Sequence, residues 1–165
     1  MTAAVTIPAP RYPAKIAAPA DAPARIRGLP RPLVFTNGVF DVLHRGHVTY
    51  LDQARALGAA LVVAVNSDAS VRRLNKGGDR PLNPLADRMA VLAALAAVDL
   101  VVPFDSDTPR DLIAACLPDV LVKGGDYTAD TTAGASEVLA AGGKFVAIPF
   151  ASPHSTSALI ARIRR

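Results

Sequence analysis

Two histidines three residues apart, His44 and His47, stand where an apolar run meets a helical pattern. The stretch from Phe35 to His47 reads FTNGVFDVLHRGH: Leu33, Val34 and Phe35 lead into a turn holding Gly38 and Asp41, and helical spacing begins near Gly46. A strand that opens through glycine into a helix start exposes backbone N–H groups to an anion. At a spacing of three, both imidazoles face the same bound group. Zinc is disfavoured, because only Asp41 adjoins the pair and zinc normally takes three or four protein ligands. Two imidazoles beside glycine turns suit donation of hydrogen bonds to phosphate oxygens as charge builds on them. The indicated chemistry is chemistry on a phosphate.

Three further groups of residues fit that chemistry, and each has a plainer reading. Lys76 and Arg80 lie in a Gly-rich loop, NKGGDRP, free to close over a polyphosphate, or simply a solvated basic loop. Lys123, Gly124, Gly125 and Asp126 follow an apolar strand directly; glycines there admit a ligand close to the backbone, while lysine and aspartate supply a cation and an acceptor. The alternative is an ordinary turn. Ser155, Thr156 and Ser157 begin the last helical pattern, as a routine N-cap or as an anion site built from hydroxyls and unpaired N–H groups.

The formal net charge is +4, and its location decides what it means. Residues 1–32 hold five basic side chains against Asp21 alone, and the other 133 residues hold thirteen of each sign. A domain that neutralises many phosphates of a polynucleotide is basic in itself. This one is neutral, which favours a small polyanion over nucleic acid. Hydrophobic residues make up 51% and no apolar run reaches a membrane span. A single cysteine, Cys116, excludes an intrachain disulfide and fits a reducing cytoplasm.

Residues 1–24 carry five prolines among many alanines and read as a flexible, extended arm; the same prolines argue against a transit peptide. Residues 25–165 read as one domain. Apolar strands are predicted at Leu33–Thr36, Leu61–Val65, Leu100–Pro103, Val120–Val122 and Phe145–Ile148. Between them lie helical patterns: one from Gly46 stopped by Gly58, one over Ala69–Leu74, one capped by Asn83, one opened by a capping box at Thr108, one over Ala133–Ala141, and one from Ser155. This alternation predicts a Rossmann-like α/β fold: a doubly wound, five-stranded parallel sheet with helices on both faces. In such sheets ligands bind beyond the carboxyl ends of the strands, where segments 36–47, 123–127 and 152–157 fall.

The ordered segments TNGVFDVLHRGHVTYL, AVNSD, RPLNPLADRMAVLAAL, VDLVVPF, PDVLVKGGDY and HSTSALI resemble the nucleotidyltransferase superfamily with its H-x-G-H element. Within it they resemble the heptose 1-phosphate adenylyltransferases, over roughly Arg31 to Ile163. The resemblance implies transfer of AMP from ATP to the anomeric phosphate of a heptose for the lipopolysaccharide inner core. It implies His44, His47 and Lys76 as catalytic residues, with Mg²⁺ carried by ATP and no dedicated metal ligands. It places Thr36, Asn37, Gly38, Phe40, Asp41, Gly46, Arg88, Lys123, Gly125, Asp126, Ser155, Thr156 and Ser157 at the nucleotide and its phosphates. Asp41 and Asp126 are candidate contacts to substrate or metal-bound water, and Arg88 a phosphate or structural contact. Val39 stands where the family often has cysteine, and His154 receives no role.

Bifunctional members carry a sugar kinase ahead of this domain. About 32 residues precede it here, so a separate kinase is expected to supply the heptose 1-phosphate. A homo-oligomer, a dimer, is the expected assembly. A rival within the superfamily is a cytidylyltransferase acting on a small phosphorylated alcohol such as glycerol 3-phosphate. A rival of another class is a non-catalytic nucleotide-binding regulatory module.

Overall fold

Five short runs of valine, leucine, isoleucine and alanine become five parallel strands. In the computed structural model, which describes residues 6–74, 80–149 and 156–163, these are β1 (Leu33–Gly38), β2 (Ala60–Asn66), β3 (Leu100–Phe104), β4 (Val120–Gly124) and β5 (Lys144–Ile148). They pair in the order β3-β2-β1-β4-β5, every neighbour parallel. The helices are α1 (Ala22–Arg27), α2 (Arg45–Arg55), α3 (Asp68–Arg73), α4 (Leu85–Ala94), α5 (Arg110–Cys116), α6 (Ala135–Ala140) and α7 (Thr156–Ile163).

Alternation along the strands splits the core into two layers. Leu33, Phe35, Val62 and Leu100 pack with Ile26 of α1, Ile113 of α5 and Val138 of α6. Val34, Leu61, Val63 and Val101 pack with Tyr50 and Leu51 of α2 and Leu92 of α4. Because both faces are covered, β2 is buried at every position, which is why it reads as an unbroken apolar run. Burying each such valine or leucine contributes about 1.5–3 kcal/mol. From central β1 the chain winds outward to β2 and β3, then returns to add β4 and β5 on the other side. The reversal puts a crevice between the carboxyl ends of β1 and β4.

Four local expectations change. Residues 11–24 do not form a free arm: Tyr12–Lys15 make a 3₁₀ turn, Ile16 bridges Val101 on the edge of β3, and the Ala17 N–H donates to the Val101 carbonyl at 3.0 Å. Lys15 Nζ donates to the carbonyls of Leu95 (3.1 Å) and Val98 (2.7 Å), just beyond α4. The prolines block a long helix there but leave extended backbone able to dock on an open sheet edge. Pro84, not Asn83, is the N-cap of α4, and no side chain caps it; Asn83 turns instead toward Asp41. Pro109, not Thr108, precedes α5, again without a side-chain cap. Finally, α2 ends at Arg55, ahead of Gly58. Gly58 is required by close approach, since a Cβ there would lie 2.7 Å from Val34 Cγ2.

Candidate active site

The start of α2 is built by its own histidines. His44 is the N-cap, in extended conformation, and its Nδ1 accepts the Gly46 N–H at 3.1 Å. His47 Nδ1 in turn accepts the His44 N–H at 3.4 Å. With both Nδ1 atoms accepting, the neutral rings carry their protons on Nε2, which makes each Nε2–H a hydrogen-bond donor. The two ring centroids lie 4.0 Å apart. Burial, with the neighbouring His44 second, pushes the His47 pKa from 6.5 down to about 4, so this imidazole is a neutral donor at physiological pH.

The sign of that shift gives an expected result. Unfolded chains protonate His47 more readily between pH 6.5 and about 4, so its contribution to stability is complete above 6.5 and is lost as the pH falls through that window. Allowing for partial solvent screening, the loss amounts to about 1–2 kcal/mol. Thermal midpoints recorded across pH 4–7.5 should fall less steeply for His47→Asn than for the unaltered chain; equal slopes would count against the shift.

Phe40 holds this turn together. It adopts φ +48°, a left-handed conformation unusual for a bulky residue, and its ring meets His47 edge-on with centroids 5.7 Å apart. Gly38 leaves room for that ring, since a Cβ there would sit 3.0 Å from Phe40 Cε2. The turn opens onto a cleft of about 770 Å³ at the carboxyl ends of the strands.

Of the residues singled out in the sequence, Asn37, Gly38, Val39, Phe40, Asp41, His47, Arg80, Lys123, Gly124, Thr156 and Ser157 line this cleft. The side-chain oxygen of Asn37 is buried with no hydrogen-bond partner among the described residues, leaving an acceptor on the wall. Lys123 Nζ donates to the Asn37 carbonyl at 3.4 Å and lies 5.4 Å from the Tyr127 ring centroid. Thr156, the first residue of α7, donates from Oγ1 to the Val42 carbonyl at 3.1 Å. That bond ties the start of α7 to the segment leading into α2, so two helix N-termini converge on the cleft.

Other sequence-selected residues do not reach the ligand space. The Thr36 hydroxyl is fully buried and bonded to Tyr50, whose own hydroxyl reaches the Val122 carbonyl at 3.2 Å; this is a tie between β1, α2 and β4. Burial raises the Tyr50 pKa, so the phenol stays protonated. Arg88, expected as a phosphate or a structural contact, is a buried brace. Its guanidinium donates to the carbonyls of Val39 (2.7 Å), Asn66 (2.8 Å) and Asn83 (3.0 Å) and pairs with Asp68 (2.6 Å). Gly125 also serves the fold: its φ of +101° requires glycine, and its N–H donates to the Ile148 carbonyl. Gly124 takes its place in the lining. Gly46 is buried at the helix start, Asp126 is exposed outside the lining, and His44 stands beside His47 behind it. Lys76, His154 and Ser155 lie outside the described residues.

Asp41 is buried and already engaged. Its carboxylate accepts the N–H groups of Leu82 (2.9 Å) and Asn83 (2.8 Å) and is paired with Arg80 (2.5 Å). Among the described residues no three His, Cys, Asp or Glu side chains are grouped to hold a metal ion. Lining residues that were not among the expected site residues include Tyr50, Asp107, Thr108, Tyr127, Thr131 and Thr132. For the last three the available signal was the hydroxyl-rich stretch YTADTTAG between a strand and a helix.

A doubly wound sheet with H-x-G-H at the first helix start and a polar cleft at its switch point defines a nucleotidyltransferase, and residues 35–162 match the cytidylyltransferase-like family model. The chain is 59% identical over 157 residues to a D-beta-D-heptose 1-phosphate adenylyltransferase of Bordetella bronchiseptica, across 94% of this chain and 97% of that one. It is 58% identical over 142 residues, 86% of its length, to the bifunctional protein HldE of Edwardsiella ictaluri, of which the match spans 29%. A solved lipopolysaccharide core biosynthesis protein from Thermoplasma volcanium superposes with a TM-score of 0.60 at 26% identity, covering 77% of this chain and all of that one. The chain belongs to the cytidylyltransferase-like family and, within it, to the heptose 1-phosphate adenylyltransferases.

Proposed function

We propose that this enzyme moves the adenylyl group of ATP onto D-β-D-heptose 1-phosphate, releasing pyrophosphate and forming an ADP-heptose for the lipopolysaccharide core. The observation that carries the reading is His47. It is neutral, its proton is held on Nε2, and it lines a cleft on which the starts of α2 and α7 converge. An oxygen of the acceptor phosphate attacks the α-phosphorus of ATP; the bond to the bridging oxygen breaks and pyrophosphate leaves with that electron pair. No side chain is alkylated or acylated. The protein's part is to align the two anions and to place donors where negative charge accumulates.

In this scheme His47 donates from Nε2 to the polyphosphate, with His44 beside it and the N–H groups and hydroxyls at the start of α7 supporting the same anion. Lys76 is assigned to counter transition-state charge. Mg²⁺ enters as part of the substrate, MgATP, held by phosphate oxygens and water as this ion prefers. The reduced Cys116 and the dependence on ATP fit a cytoplasmic site of action. A kinase reaction, expected on a separate protein, must supply the acceptor.

The test is a turnover panel: pyrophosphate release with each of the four nucleoside triphosphates against heptose 1-phosphate, glycerol 3-phosphate and ethanolamine phosphate. ATP with heptose 1-phosphate is expected to exceed every other pair by at least about tenfold, a difference of about 1.4 kcal/mol in transition-state binding. A preference for CTP with a small phosphorylated alcohol would overturn the reading, and no turnover with any pair would favour a regulatory module.

A further inference from the structure

Arg80 is a cation of the cleft that this scheme leaves unused. Arg80 lines the cleft with Leu74, Asp107 and Thr108, and its side chain is only 12% exposed. Its Nε is ion-paired at 2.5 Å with Asp41, whose side chain is fully buried. Asp41 is itself fixed by the N–H groups of Leu82 and Asn83, and Asn83 Nδ2 donates back to the Asp41 carbonyl at 2.5 Å. Arg88 spends all three of its nitrogens on protein acceptors. Arg80, by contrast, has Asp41 as its only ion-pair partner among the described residues, through Nε. Among the described residues its terminal Nη groups meet no protein acceptor. The contact with Asp41 is an ion pair without a hydrogen bond from Nε, and a planar guanidinium held beside a buried carboxylate keeps N–H groups for a second anion, in a fork that suits a phosphate.

Where that fork stands decides which phosphate it takes. His47, Thr156 and Ser157 belong to the starts of α2 and α7, next to β1, β4 and β5. Asp107 and Thr108 follow β3, at the opposite end of the strand order from β5, and Arg80 comes from the segment between α3 and α4 and is paired with Asp41 in the turn before α2. The reaction brings together two anions, a triphosphate and a sugar phosphate, and the donors of the cleft come from segments that follow strands at both ends of the sheet. We propose that Arg80 binds the phosphate of the sugar 1-phosphate acceptor, with Asp41 as its positioning residue. The acceptor's identity rests on the function proposed above. Asp107, which is paired with Arg73 at 2.8 Å, and Thr108 line the same cleft and offer an acceptor and a hydroxyl for sugar hydroxyl groups.

Steady-state kinetics of Arg80→Gln and Arg80→Lys, each with its thermal midpoint checked, test this. Arg80→Gln should raise KM for heptose 1-phosphate about 10- to 100-fold, the worth of a charge-assisted hydrogen-bond pair, and leave KM for ATP within about twofold. Arg80→Lys, which keeps the charge but not the fork, should recover part of the loss. Asp41→Asn should shift the same KM in the same direction and add less than its own factor on top of Arg80→Gln. A raised KM for ATP with that for heptose 1-phosphate unchanged, or no change in either, overturns the assignment. If the unaltered chain releases no pyrophosphate with heptose 1-phosphate, the function reading fails by itself. Calorimetric binding of glucose 1-phosphate then decides on Arg80: equal affinity for the unaltered chain and Arg80→Gln defeats it, and at least tenfold weaker binding to the variant supports it.

Discussion

Replacing His47 by alanine is expected to lower kcat for adenylyl transfer by about 10²- to 10³-fold, the usual cost of removing one preorganised donor from developing phosphate charge. KM for ATP should change little, because the bond strengthens as charge builds rather than on binding, so kcat and kcat/KM fall together. The fold should tolerate the change. His47 is only partly buried, and the bond it accepts from the His44 N–H is long, at 3.4 Å. His47→Gln, which keeps an N–H donor, should recover part of the rate. Because the free protein holds His47 neutral down to about pH 4, the profile of kcat/KM should show no acid limb from this residue between pH 6 and 8. Near-normal kcat in a folded His47→Ala variant would remove this histidine from the mechanism.

The largest expected effect on stability belongs to Arg88. Its guanidinium is fully enclosed and gathers the carbonyls of Val39, Asn66 and Asn83 together with the Asp68 carboxylate. These acceptors come from the catalytic turn, the end of β2, the start of α3 and the segment before α4, so a single side chain fixes four pieces of chain around the cleft. Arg88→Ala leaves buried carbonyls without their donor and opens a cavity; breaking a buried charge network of this kind costs about 3–5 kcal/mol. For a domain of this size that is a fall in Tm of about 6–20 °C. Arg88→Lys should recover little, since a single ammonium cannot reproduce a planar fork that reaches several carbonyls. Asp68→Asn should cost far less, because Asp68 is 30% exposed and partly solvated pairs are weak. Differential scanning calorimetry of the three variants would decide; a Tm for Arg88→Ala within about 2 °C of the unaltered chain would refute the bracing role.

The pattern of elements was open to reading because both determinants are local. Buried parallel strands must be apolar throughout, as β2 is from Ala60 to Val65, and glycine or proline punctuation marks where they stop. The observed strands begin or end within two residues of those expected. Caps were read less well. Asn83 and Thr108 have the right chemistry for N-caps, yet Asn83 serves Asp41 and a proline precedes each helix instead. A side chain with several possible partners takes the one that packing brings closest, and the local sequence does not say which. The N-terminal segment illustrates the same limit, since its docking on β3 depends on an edge that exists only after the sheet has formed.

For the site, the sequence by itself determined the centre: a strand, a glycine turn and two histidines at a helix start make an anion-binding element wherever the chain goes afterwards. It also determined that the partner is small, through the neutrality of residues 33–165. The tertiary structure decided which charged residues face the ligand. Arg88 and Arg80 lie eight residues apart in one continuous segment and look alike in sequence. Packing turns the first inward to four protein acceptors and holds the second at the cleft against Asp41. Asp41, which reads as a ligand contact, became the anchor for that arrangement. The physical reason is that a buried charge must find its partners within the folded chain, and those partners, Val39, Asn66 and Asp68 for Arg88, are 20 to 49 residues away in sequence.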